Sequence, residues 1–399
     1  MKELMKSDVI GVSIVMPCLN EAATLAACID RAKQALAQIE AQHGLLGEVV
    51  IADNGSTDGS QKIATDNGAR VVDVPDPGYG AALIGGFAAA HGQYLIMGDS
   101  DCSYDFVESV PMVTALINGA DLCMGSRFHG EIKPGAMPWK NRYIGNPVLS
   151  AILRLFFRSR ISDAHCGIRA ITRDGLERLK LSSQGMEFAS EMVLKSTLLK
   201  YTIAEVPVTL SPDGRDRAPH LKPWRDGFRH LFYMLMLSPR WLFLIPSAVL
   251  AVFGITIFAL LLIGGTEMVQ IGRIGIGDHW AVVASSALII SVQTGFVGIA
   301  TLMLSYKEGM RIPTPLAKRV LSHSRLQNWL LLGLGSMTSG VIWAGIIASG
   351  WISSDFGPLD QMRGLIAAFT LIVIGLQCAF GGFLLSVVSG NRLRHAHFL

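Results

Sequence analysis

From residue 11 to about 210, short apolar runs alternate with segments of helical spacing. GVSIVMP (11–17), GEVVIAD (47–53), ARVVDVP (69–75) and QYLIM (93–97) are largely continuous in their hydrophobicity. That is the pattern of strands covered on both faces. Between the first two, NEAATLAACIDRAKQALAQIE (20–40) puts Leu25, Cys28, Ile29, Ala32 and Leu36 on one helical face. This helix is expected to begin at Asn20 and Glu21, with Asn20 as a candidate N-cap. STDGSQKIATDNG (56–68) starts a second helix and stops it at Gly68. The alternation predicts an α/β domain with a mostly parallel sheet. Ligands in such folds bind at the carboxyl ends of the strands. Asn20/Glu21, Asp53 and Asp99/Asp101 fall at three such ends.

After Arg240 the pattern changes to long apolar blocks at 242–264, 281–304, 329–350 and 364–388. Each approaches or exceeds the ~20 residues of a spanning helix. None contains Asp, Glu, Lys or Arg, which disfavours an ion path through them. The loop 306–327 is rich in Lys and Arg, and the other two loops are poor in them. By the positive-inside rule the basic loop, the C-terminus and the N-terminal domain face the cytoplasm. The expected organisation is a catalytic domain at 1–222, an interfacial amphipathic helix at 223–241 and a transmembrane domain at 242–399. In the middle segment Trp224, Phe228, Leu231 and Leu235 share one face, with Arg225, Arg229 and His230 around it. Packing of that helix on the catalytic domain is the alternative.

Composition agrees with a mixed chain. Of 399 residues, 50% are hydrophobic and 16% charged, and the mean hydropathy is +0.42. The net charge of +3 is too small to point to nucleic acid. The apolar part of residues 1–17 is too short and too β-branched for a signal peptide, and RLRHAHFL at the C-terminus has no lipidation box. The six cysteines form no C-x-x-C pair and read as buried reduced thiols.

The candidate chemistry starts at Asp99-Ser100-Asp101. Two carboxylates at i and i+2 on an extended segment point the same way and suit a hard cation, Mg²⁺ or Mn²⁺. Asp53, just past an apolar run, is placed to accept a hydrogen bond from a base N–H. Arg127, Arg142 and Arg169 lie in apolar or Gly-rich surroundings, where a guanidinium suits phosphate.

The series VMPCLNE, VVIADNGSTDGS, GYGAAL, MGDSDCSYD, MGSRF and CGIRAITRD resembles glycosyltransferase family 2, in its dolichol-phosphate mannose synthase and bacterial polyprenyl-phosphate glycosyltransferase branch. The resemblance covers nearly all of the first ~230 residues. It implies a GT-A fold and a nucleotide-sugar donor. It places Pro17 and Glu21 at the nucleoside pocket, Asp53 on the base, Gly78 and Gly80 beside the ribose, and Asp99 and Asp101 on metal and diphosphate. It places Arg127 near the phosphates and Arg169 between donor and acceptor. Arg215, Arg217, His220 and Lys222 match a basic loop ahead of the membrane, although a Ser-Lys pair common in the mannose synthases is His220-Leu221-Lys222 here. Met186-Glu187-Phe188 and Glu191 resemble an acidic helix bordering the sugar site. The implied acceptor is a dolichyl or undecaprenyl phosphate, with GDP-mannose or UDP-glucose as the type of donor. Two other readings remain open. A processive polysaccharide synthase is one, against which LSPRW lacks the glutamine of a Q-x-x-R-W motif. A non-catalytic scaffold or flippase is the other.

Overall fold

The computed structural model describes residues 10–159, 161–214, 223–265, 267–315, 317–319, 325–357 and 361–389. Its contacts divide the chain into two units, 1–234 and 235–399.

Among the described residues of the first unit, seven strands form one sheet in the order β3-β2-β1-β4-β6-β5-β7. They are β1 Ile10–Cys18, β2 Leu46–Asp53, β3 Arg70–Asp73, β4 Tyr94–Met97, β5 Leu122–Ile132, β6 Arg169–Thr172 and β7 Ile203–Leu210. The sheet is parallel except at β6, which runs antiparallel to both β4 and β5. The exception serves the site. The reversed strand starts where β4 ends, so Arg169 pairs with Met97, the last residue of β4, and on its other side with Met124 of β5.

Helices cover the sheet: α1 Leu25–His43, α2 Ser60–Asp66, α3 Tyr79–Ala89, α4 Val110–Ile117, α5 Asn146–Phe157, α6 Arg173–Leu179, α7 Phe188–Leu198 and α8 Pro223–Met236. Val12, Ile14, Met16, Ile51 and Ile96 are fully buried, and α1 lays Leu25, Cys28, Ile29, Ala32 and Ile39 against them. α1 starts later than its periodicity suggested. Thr24 takes the N-cap position, and Asn20 has a left-handed φ of 58°. Residues 20–22 are committed elsewhere: Asn20 Oδ1 accepts from the Thr57 N–H (2.7 Å), and the Glu21 N–H donates to Ser60 Oγ (3.0 Å).

In the second unit, among the described residues, four helices are long and apolar enough to cross a membrane. The first, Arg240–Ile263, contains α9 (Ile245–Ile263); the others are α10 Asp278–Lys307, α11 Leu326–Ser353 and α12 Met362–Ser389. A hairpin of β8 Val269–Ile271 and β9 Ile274–Ile276 joins α9 to α10. The helices are longer than the uncharged blocks, taking in Asp278, Lys307 and Arg363 at their ends. Asp278 sits in the first turn of α10, where a carboxylate complements the helix dipole, and it accepts from Arg363 Nε at 2.6 Å. Gly333 and Gly375 let α11 and α12 touch backbone to backbone: a Cβ on Gly375 would meet the Gly333 carbonyl at 2.6 Å.

Candidate active site

The site gathers at the carboxyl ends of β1, β2 and β4. Cys18, the last residue of β1, is in register with Asp53, the last of β2. Asp53 is 2% exposed. Its Oδ2 accepts from the Gly55 and Ser56 N–H groups and from Gln61 Nε2, at 3.2, 3.1 and 2.8 Å. Its Oδ1 is buried with no partner among the described residues. A buried acceptor left open costs about 1–3 kcal/mol. The turn that follows β2 thus fixes one oxygen and offers the other.

The Asp99-Ser100-Asp101 loop is fastened to β1 and α1. Ser100 Oγ donates to the Pro17 carbonyl (2.8 Å), and Thr24 Oγ1 donates to the Ser100 carbonyl (2.7 Å). Glu21 is buried beside this contact, its carbonyl accepting from the Thr24 and Leu25 N–H groups at 3.1 and 3.0 Å. Asp101 is buried, with Oδ1 accepting from the Ser103 N–H at 3.0 Å. Asp99 Oδ1 accepts from the Tyr79 hydroxyl at 3.0 Å. Burial and the Asp99 charge push that phenol well above the usual tyrosine range, so it remains a donor.

Asp99 also needs Gly167. A Cβ there would stand 2.6 Å from Asp99 Oδ2 and 2.9 Å from Tyr104 Cε2. Gly167→Ala should therefore displace the Asp99 carboxylate and disturb its bond from Tyr79, which a structure of the variant would show. Gly78 and Gly80 answer to a different surface. Gly78 has φ 135°, and Cβ atoms at the two positions would meet the Gln184 and Ser183 carbonyls at 2.3 and 2.1 Å. These glycines admit the loop 183–185. That loop hangs on Glu191, which accepts from the Ser182 and Ser183 N–H groups and pairs with Lys195 at 2.6 Å. Glu191 is fully buried, so it is no solvated face. The nearby Glu187 Oε2 is buried without a partner among the described residues.

Arg127 and Arg169 are both interior. Arg127 forms a buried ion pair with Asp163, through Nε at 2.7 Å and Nη2 at 2.7 Å, and its N–H adds a third bond at 3.0 Å. Burial opposes the Asp163 charge, but these contacts outweigh it and hold the carboxyl below its usual range. Arg169 is 1% exposed and donates to the carbonyls of Cys166, Ala189 and Ala164 at 2.9, 2.6 and 3.1 Å. Carbonyls satisfy its N–H groups without cancelling its charge. Burial draws its pKa down, against the pull of Tyr79 and other neighbours.

His165 lies in the same loop. Its ring centroid is 5.2 Å from that of His230 on α8, whose Nδ1 bonds Ser190 Oγ at 2.7 Å. Burial, then His230 and the two arginines, push the His165 pKa from 6.5 down to about 3. The unfolded chain binds this proton below pH 6.5 and the folded chain does not. The stability it protects is complete above that pH and is lost as pH falls toward about 3, by up to ~1.4 kcal/mol per unit. His165→Gln should flatten the fall in unfolding temperature between about pH 6.5 and 4, which thermal melts would show.

Arg142 is exposed, its guanidinium 5.6 Å from the centre of the Tyr143 ring. Along the same segment Trp139, Tyr143, Ile144, Val148 and Leu155 are 50–68% exposed. With Lys140, Arg154 and Arg158 they form an apolar and basic surface on 139–158 that the periodicity reading passed over. On α8, His230 and Met234 are buried, while Phe228 and Phe232 stand 55% and 66% exposed with their rings 6.4 Å apart. The exposed stripe on α8 therefore follows Phe228 and Phe232, with Leu231 and Leu235 half-buried, and the helix also packs on the first unit. Arg215, Arg217, His220 and Lys222, and the side chains of Trp224, Arg225 and Arg229, lie outside the described residues.

The profile described as glycosyl transferase family 2 matches residues 13–180, and that of the glycosyltransferase family 2 C-terminal transmembrane region matches 299–389. The low-salt glycan biosynthesis hexosyltransferase Agl6 of Haloferax volcanii is 36% identical over 94% of this chain and 88% of its own. The chain belongs to glycosyltransferase family 2. Another relative from Haloferax volcanii, named a dolichyl-phosphate hexose transferase, is 31% identical over 45% of this chain and 76% of its own. Among solved structures, glucosyl-3-phosphoglycerate synthase of Mycobacterium tuberculosis, crystallised with Mn²⁺, UDP and glucosyl-3-phosphoglycerate, aligns with a TM-score of 0.44 and 24% identity. That alignment covers 57% of this chain and 80% of the synthase. This family 2 enzyme is a membrane glycosyltransferase with a GT-A catalytic unit and, among the described residues, four candidate spans.

Proposed function

We propose that the protein transfers one hexose from a nucleotide sugar to the phosphate of a dolichyl- or undecaprenyl-type lipid, with inversion at the anomeric carbon. The observation that carries this is the open Oδ1 of Asp53 at the end of β2, with β1 between it and the strand that leads into the Asp99-Ser100-Asp101 loop. A nucleobase N–H completes Asp53, and its diphosphate then reaches toward the paired acids. Pro17 and Glu21 wall the nucleoside, and the Gly78–Gly80 turn lies along it.

The acids fit a divalent ion. They are hard oxygen donors, and among the described residues no group of three or more His, Cys, Asp and Glu side chains gathers. The remaining ligands of such an ion come from water and substrate, as is usual for Mg²⁺. Asp99 and Asp101 would hold Mg²⁺ or Mn²⁺, which supplies positive charge against the departing nucleoside diphosphate. Tyr79 and the Ser103 N–H orient the two carboxylates. Arg169, bonded to carbonyls, and Arg127, paired with Asp163, are fixed positive charges behind the diphosphate.

A lipid phosphate is already ionised at neutral pH and needs no strong general base. Arg142 and the basic loop of Arg215, Arg217, His220 and Lys222 receive it. The exposed apolar surfaces of 139–155 and α8 rest at the boundary of the bilayer, on its cytoplasmic side. The relative named as a dolichyl-phosphate hexose transferase, and a dolichol-phosphate mannosyltransferase of Pyrococcus furiosus that is 25% identical over 56% of this chain, support the lipid acceptor.

Radiolabelled nucleotide sugars, each incubated with the full chain, polyprenyl phosphate and Mn²⁺ or Mg²⁺, test the proposal. The expected product is one sugar per lipid; a growing polymer would support a processive synthase instead. Changing Phe228 and Phe232 to Asp should lower transfer to lipid in bilayers by about tenfold or more, given the apolar area lost, and leave nucleotide affinity unchanged. Full activity of that variant in bilayers would refute the interfacial role of α8.

A further inference from the structure

Cys28 and Cys102 are a thiol pair that the transfer chemistry does not use. Cys28 is on α1 and 2% exposed; Cys102 follows Asp101 and is part exposed, with a left-handed φ of 62°. Their sulfur atoms are 3.4 Å apart. Both line a cavity of about 450 Å³, together with Arg31, Tyr104 and Lys133. Cys18, Cys123, Cys166 and Cys378 are buried. A small reagent thus meets Cys102 first, and finds Cys28 already in contact behind it.

We propose that Cys28 and Cys102 are a redox-modification site, a dithiol that a small organic disulfide converts to an intramolecular disulfide, displacing the Asp101 loop. Cys102 Sγ attacks one sulfur of the disulfide RSSR, and the departing RS⁻ takes up the proton that Cys102 gives up. Cys28 Sγ then attacks Cys102 Sγ and expels the second RSH, its own proton leaving with it. RSSR is reduced to two RSH as the two protein thiols are oxidised. A disulfide bond is about 2.05 Å long, so closing it draws the two sulfurs together by more than an ångström.

That movement does not stay local. Ser100, on one side of Cys102, is held to α1 through Thr24 Oγ1. Asp101 carries the Ser103 N–H on Oδ1 and the Gly214 N–H on its carbonyl, at 3.0 and 2.9 Å. Cys102 Sγ itself lies 3.7 Å from the Thr24 carbonyl. Pulling Cys102 toward α1 therefore turns the peptide that bears the Asp101 carboxylate. The functional consequence rests on the metal reading of Asp99 and Asp101; formation of the bond does not.

The full chain in bilayer discs is treated with oxidised glutathione. Peptide mass mapping should find a 28–102 link and the loss of two free thiols. Mn²⁺ affinity should fall by about tenfold or more and return with reductant. Cys28→Ser should keep its Mn²⁺ affinity under the same oxidant. A link at 28–102 in a protein whose reduced form binds no Mn²⁺ upholds the dithiol and overturns the metal reading. Glutathione remaining on Cys102 without a 28–102 link, or a link that leaves Mn²⁺ affinity unchanged, overturns this proposal.

Discussion

Asp101→Asn should lower sugar transfer by about a thousandfold or more while the first unit stays folded. The side chain is 6% exposed and uses Oδ1 to accept the Ser103 N–H at 3.0 Å. Asparagine has the same shape and can keep that bond. What it removes is one negative charge beside Asp99, hence the affinity of the pair for a divalent cation. Stability and catalysis should therefore separate: an unfolding midpoint close to that of the unchanged protein, and almost no product. Near-normal product formation with divalent metal present would defeat the assignment of the acids.

Asp163→Ala should act in the opposite manner, through the fold. It strips a buried guanidinium of its carboxylate and of two hydrogen bonds, and the Arg127 backbone N–H of a third. Breaking such a pair from one side costs about 3–5 kcal/mol, because the remaining charge stays buried and uncompensated. Denaturant unfolding of the full chain would show a loss of that size for the first unit. Replacing both partners by apolar residues, Arg127→Met with Asp163→Leu, should recover much of it. The double variant also separates the two roles of Arg127. If its charge assists the diphosphate, the double variant folds and transfers poorly; if the pair is structural alone, folding and transfer recover together.

The strands and their ends were legible because a strand buried on both faces has no polar alternation to confuse it. β1, β2 and β4 read as apolar runs, and Asp53, Asp99 and Asp101 as their terminations. The start of α1 was not legible. Asn20 and Glu21 are good helix-starting residues, but tertiary bonds to Thr57 and Ser60 claim them first. β6 was not legible either, since a four-residue strand carries little periodicity and its direction depends on the neighbours it joins. That reversal delivers Arg169 beside β4. The surroundings of Arg127 suggested a phosphate partner. They concealed Asp163, an acid 36 residues away that only folding brings to it. Tyr79 and Gly167 carried no signal of their own, because a hydroxyl bonded to Asp99 and a missing Cβ beside it are facts of distance. The exposed surface of 139–158 was missed for a different reason: its apolar residues face outward, so they follow no core-facing period.

The most direct measurement is a structure of the full chain in a bilayer with Mn²⁺ and the nucleoside diphosphate of its preferred donor. It should show a base N–H within hydrogen-bonding distance of Asp53 Oδ1, and the ion between the diphosphate and the carboxylates of Asp99 and Asp101. A nucleotide bound elsewhere, with Asp53 Oδ1 still open and no ion at either acid, would contradict it.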